Sequence, residues 1–157
     1  MNKNKIQENL ILIWQTKIIS IFIFLLLIFL TSCTKYDTIL IDNGIEEIKV
    51  RAEVADTQEK REMGLMGREH LGENKGMFFA FDAEGTYKFW MKNTLIPLDI
   101  IFISKDFKIV EIVYAEPCSE EPCKIYQTAS YSKYILEVNG NFTARNGIEV
   151  GDKVAIG

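Results

Sequence analysis

Leu98-Asp99-Ile100-Ile101-Phe102-Ile103 is the stretch that most narrows what this chain can fold into. It is short, apolar, β-branched and aromatic. A run of that kind reads as a strand covered on both faces. Asp99 stands inside it. A carboxylate in such surroundings is costly unless something donates to it. The preceding segment, Phe89 to Pro97, brings Lys92, Asn93 and Thr94 close in sequence. Among more distant groups a guanidinium suits a shielded carboxylate best, because its planar fork meets both oxygens. The expectation is an Arg68–Asp99 pair at the centre of a polar cluster. Arg61, Lys92, Asn93, Thr94, Glu137 and Asn139 would complete it beside a dry core.

The other strands are marked by alternation with a period of two. Thr38 to Ile41 reads as a first strand. Ile48, Val50, Ala52 and Val54 alternate with Lys49, Arg51 and Glu53, which predicts a half-exposed strand over 45–54. Asp42-Asn43-Gly44 between the two predicts a hairpin. Further strands are expected at 76–81, 107–115 and 134–139, with turns at 82–85 and 104–106. Asp56-Thr57-Gln58-Glu59 has the spacing of a capping box with Asp56 as the cap. It predicts a short helix through Met66, stopped by Gly67. One helical turn at 141–146 and a hairpin-like segment at 148–156 close the chain. Many short strands with one real helix predict a mostly β, compact single-domain β-sandwich or small barrel.

A leader precedes this domain. Lys17 comes before an apolar run over 18–30, which ends at Leu30-Thr31-Ser32-Cys33. The run is short for a bilayer span and fits a signal-peptide core. Leu, two small residues and Cys resemble the lipobox of bacterial lipoproteins, whose cysteine is lipidated and becomes the mature N-terminus. That resemblance implies a signal peptide over 1–32 and a lipidated N-terminus, linker and first strand over 33–44. A β domain over 45–157 follows. The protein would sit at the cell envelope, on the outer face of a membrane, held by lipid on Cys33. An uncleaved membrane anchor is the competing expectation.

Charge and cysteine usage fit export. The leader takes three of the 18 basic residues and one of the 22 acidic ones, so the remainder carries 15 against 21, a net charge of −6. Such a balance argues against nucleic acid as a partner and against binding an anionic bilayer by charge. His70 is the one histidine, which excludes a multi-histidine metal site within a single chain. Beyond Cys33 the chain has Cys118 and Cys123, and an exported protein favours pairing them as a disulfide.

Several segments together resemble a known family. Arg61-Glu62-Met63-Gly64-Leu65-Met66-Gly67-Arg68 is similar to its R-x-x-G-L-M-x-R element. Gly76 to Phe81 is similar to its G-M-L-F-x-F strand. Phe89 to Ile100 resembles its most specific signature, and Leu136 to Gly140 with Ile148 to Asp152 resemble its closing motifs. The family is domain-of-unknown-function 192 (DUF192), also called the UPF0127 type. The resemblance spans about Ile45 to Val154. It implies a small, mostly β and often exported domain, and it supplies no reaction.

Two classes of function are then open. The first is a small-ligand-binding or structural accessory domain. Its candidate pocket comprises Arg68, Trp90, Met91, Lys92, Asn93, Thr94, Asp99, Glu137 and Asn139, with aromatic and sulfur groups as walls and polar groups as handles. The second is a small hydrolase using Asp99 with Lys92 or Arg68. No nucleophile elbow, phosphate loop or paired-histidine motif is present. No cofactor or metal is expected. Met63, Met66, Met77 and Met91 sit in core-like company and read as packing residues rather than soft-metal ligands.

Overall fold

The computed structural model describes residues 34–157, together with Trp14, Gln15, Lys17 and Ser20. Apart from those four positions, the expected signal peptide over 1–32 lies outside the described residues, as does the expected lipidation site Cys33. Lys35–Gly157 forms one compact unit. In chain order its elements are β1 (Tyr36–Asp42), β2 (Glu47–Ala55), α1 (Gln58–Met63), β3 (Lys75–Gly85), β4 (Lys88–Trp90) and β5 (Leu98–Ile103). There follow β6 (Ile109–Ala115), β7 (Ile125–Gln127), β8 (Ser132–Asn139), α2 (Phe142–Arg145) and β9 (Lys153–Ile156). Among the described residues no helix is long and apolar enough to cross a membrane.

Seven strands form one mixed sheet in the order β6-β5-β8-β3-β2-β1-β9, and β4 pairs with β7 in a small second sheet. The β1–β2 hairpin is antiparallel, and Asn43 Oδ1 accepts the Ile45 and Glu46 amides in its turn. β2 and β3 run parallel, so the chain between them must cross over, and α1 lies in that crossover. The two ends of the large sheet meet. The Val154 amide donates to the Phe107 carbonyl, the Ile109 amide to Asp152, and the Gly151 amide back to Ile109, each at 2.9 Å. Of the two expected architectures, the small barrel is the one formed.

Alternation assigns each side chain of β5 and β8 to one of two cores. Ile101, Ile103, Leu136 and Val138 join Ile39, Val50, Phe78 and Phe142 in the first, inside the barrel. Leu98, Ile100, Phe102 and Ile135 join Phe79, Phe89 and Met91 in the second. That second core lies on the outer face of β3, β5 and β8, beneath the loop after α1 and the small sheet. All six residues of β5 are buried, as its composition predicts. Each large aliphatic or aromatic group so buried contributes about 1.5–3 kcal/mol.

Several local details differ from expectation. Within Lys35–Gly157 the helical turn expected at 141–146 forms as α2, a second short helix beside α1. The cap of α1 is Thr57, whose hydroxyl accepts the Lys60 amide, while Asp56 instead holds Lys60 Nζ at 2.9 Å. The helix stops at Met63 rather than Met66 because Gly64 turns to φ 49°. Residues 82–85 continue β3 after a shift in its register with β8. β7 has no counterpart among the predicted strands. Cys118 and Cys123 form the expected disulfide, closing a short surface loop.

Candidate functional site

Asp99 does not meet Arg68. Its position in β5 gives it the parity of Ile101 and Ile103, so it points toward the barrel end beside α2. There one carboxylate oxygen accepts the Asn141 amide at 3.0 Å, and the other accepts the Thr143 amide at 2.8 Å and the Thr143 hydroxyl at 2.6 Å. The acid is buried and fully partnered by backbone and hydroxyl groups. These orphan donors at the start of a helical turn do what a cation was expected to do. Arg68 instead pairs with Glu53 of β2 at 2.6 Å, which raises the guanidinium pKa further. The cation follows the crossover, which sets the loop after α1 beside β2.

The other expected site residues disperse. Lys92 pairs with Glu121 at 3.0 Å and lies 5.5 Å over the Trp90 ring. Asn93 is exposed at φ 55°, and its carbonyl accepts the Gly67 amide. The Asn139 amide group donates to the Leu71 and Gly72 carbonyls, pinning the loop after α1 to β8. Met91 is core, and it also faces a shallow cavity of about 290 Å³ beside the disulfide loop. Trp90, Thr94 and Glu137 come together, and they do so around a different centre.

That centre is a cavity of about 310 Å³ between α1, the outer face of the barrel and the small sheet. Glu137 forms part of its floor. It sits on β8 between Met77 of β3 and Ile100 of β5, its cross-strand neighbours. It is only 5% exposed. Phe79 and Phe89 pack edge to face beside it with centroids 5.2 Å apart. Gly64 covers it closely: a Cβ built there would lie 4.0 Å from Glu137 Oε2 and 3.7 Å from the Phe79 ring. The outer wall is Phe81 stacked on Tyr87 at 3.6 Å, with the Arg61 guanidinium over Phe81. Arg61 is itself held, since Nη1 donates to the Asp56 and Ala80 carbonyls. Met63 and Met66 also line the cavity; Met66 is half-buried, and Met63 is largely exposed rather than packed in the core.

The electrostatics single out Glu137. Burial alone pushes its carboxyl up to about 8, with no donor and no opposite charge in opposition. Among the described residues, every side-chain polar atom fully shut off from solvent has a hydrogen-bond partner. Among the described residues the Glu137 carboxyl has none, so it faces the cavity. An unpartnered acid in an apolar recess can donate a proton, accept a hydrogen bond or receive a cation.

Glu137 was among the residues picked out in the sequence, whereas Gly64, Phe79, Phe81 and Tyr87 were not assigned to the pocket. Parity offered a partial signal, since alternation places Ile135 and Glu137 on the face opposite Leu136. That this outward face is roofed by α1 and the small sheet is a tertiary fact.

Residues 39–156 match the model of the DUF192 family, described as "Uncharacterized ACR". A crystal structure of a protein of unknown function from Novosphingobium aromaticivorans is similar, with 34% identity and a TM-score of 0.74 over 80% of this chain and 89% of that one. A crystal structure of a candidate transcription regulator from Sinorhizobium meliloti is also similar, with 30% identity and a TM-score of 0.73 over 78% of this chain and 95% of that one. No curated protein matches.

Proposed function

The chain belongs to the DUF192 family, and from that membership and the Glu137 cavity we propose a small-ligand-binding accessory domain of the cell envelope, held to the outer face of a membrane by lipid on Cys33. The observation that carries the binding role is the unpartnered Glu137 carboxyl facing an aromatic recess. The recess is at the small end of ligand pockets, which suits a metabolite-sized molecule. Phe79, Phe81, Tyr87, Phe89 and Trp90 supply aromatic wall, and Glu137 is the buried acid among its lining residues. The lipobox Leu30-Thr31-Ser32-Cys33 and the Cys118–Cys123 disulfide support the envelope assignment.

A hydrolase built on Asp99 with Lys92 or Arg68 is less well supported, because each of the three already has another partner. Transcription regulation, the candidate role of the Sinorhizobium meliloti protein, sits poorly with the acidic balance of this chain. The test is a thermal-shift panel of small metabolites on the full-length protein in detergent, with native mass spectrometry for retained molecules. A ligand at about one hundred times its Kd adds roughly 2.7 kcal/mol, a shift of several degrees. Met66→Trp, which puts a bulky ring into the cavity lining, is expected to abolish the shift. A panel without any stabilising compound, and a protein that retains nothing, would sink the reading.

A further inference from the structure

The cavity has a chemical polarity that narrows its occupant. Its inner end holds one acid, Glu137, against Phe79 and Phe89. The charged groups that reach it from neighbouring elements are Arg61 and Glu62 of α1 and Lys88 of β4; Glu62 and Lys88 are exposed and Arg61 is half-buried. None of them offsets the burial of Glu137. Arg61 is committed to two carbonyls and to the Phe81 face. The inner end therefore offers a carboxyl, aromatic surface and no basic group. A neutral apolar ligand would leave the acid without a partner, at a cost of about 1–3 kcal/mol. A ligand carrying a positive head group would satisfy it and gain from the nearby rings.

We infer that the cavity binds a small organic ammonium ion, its head group pairing with the Glu137 carboxylate and its hydrocarbon body lying against Phe79, Phe89 and Met66. This inference rests on the small-ligand reading and adds the chemical class of the ligand. No covalent step is involved. Binding releases the proton that Glu137 holds near neutrality, while the amine keeps its charge below about pH 9. Affinity therefore rises with pH until Glu137 is ionised in the free protein.

The probes are benzylammonium and its neutral isostere benzyl alcohol, titrated calorimetrically into the full-length protein in detergent. Expected at about pH 8.5 is a preference for benzylammonium on the order of tenfold or more. The preference is expected to shrink on the order of tenfold at about pH 6.5, with a proton released to the buffer on binding. Glu137→Gln keeps the shape of the site and is expected to erase the preference. Met66→Trp is expected to remove binding of both probes. Equal binding of the two probes, to wild type and Glu137→Gln alike, overturns the ammonium inference and leaves the small-ligand reading standing. Failure of both probes to bind also overturns the inference, and the metabolite panel then decides the parent reading separately. Benzylammonium binding that survives Met66→Trp places the probe elsewhere and likewise overturns it.

Discussion

Two acids in adjacent strands show how a single side chain is tolerated inside this molecule. Asp99 is buried with three donors, and Glu137 is buried with none. They should therefore respond differently to the same isosteric change. Asp99→Asn leaves one acceptor oxygen and turns an NH₂ group toward backbone amides. We expect a loss of about 1–3 kcal/mol in urea denaturation, and unchanged stability would mean these contacts do not hold α2 on the barrel. Glu137→Gln should act in the opposite sense. The folded carboxyl titrates at about 8 and its ordinary value is 4.5, so the folded state keeps a proton that the unfolded state has lost in between. The group's contribution is thus fully present below about pH 4.5 and fades as pH rises toward 8. The total change is at most about 5 kcal/mol. Wild type should lose stability from about pH 5 to pH 8, while Glu137→Gln flattens that slope and is the more stable protein at pH 8.5. Denaturation midpoints across that range check it, and parallel slopes would place the proton on another group.

At the scale of elements, the packing of β3 against β8 positions the cavity floor. Gly76 pairs with Val138, and a Cβ on it would lie 2.5 Å from the Glu137 carbonyl oxygen. Backbone cannot yield as a flexible side chain can. Gly76→Ala should force the two strands apart locally, costing about 1–3 kcal/mol by overpacking. It should also weaken cavity binding through displaced Glu137, and a thermal melt with a titration tests both. The same elements show what a sequence can reveal. β5 was legible because six consecutive core residues leave few alternatives, and β2 because its alternation is clean. β7 was not, because Ile125–Gln127 forms a strand only by pairing with β4. The partner of Arg68 was not legible either. Glu53 reaches it through the parallel crossover, which no local pattern encodes. An acid inside an apolar run requires donors, and for Asp99 a helical turn supplies them instead of a cation. Glu137 was legible as polar within an apolar strand, but its covering by α1 and β4 depends on the whole fold.

At the scale of the whole molecule, the proposed place at a membrane calls for a means of attachment. Residues 33–157 carry a net charge of −6, so attraction to an anionic bilayer cannot do it. The proposed attachment would come from residues 1–33, either as lipid on Cys33 or as an uncleaved apolar segment. After Cys33, Thr34 and Lys35 precede β1, a tether of about 10 Å when fully extended. The two modes differ in mass and in chemistry. A lipidated protein incorporates labelled palmitate, lacks residues 1–32 in its intact mass and loses the label in Cys33→Ser. An uncleaved anchor keeps the full mass, takes no label and is indifferent to that substitution. We expect the first pattern, since the apolar run over 18–30 is short for a span while each buried CH₂ of an acyl chain adds about 0.8 kcal/mol of anchoring. An unlabelled, full-length protein in the membrane fraction would refute lipid attachment. It would leave standing the description of the barrel, its closure between β9 and Phe107, and the Glu137 cavity, which is built on residues 35–157.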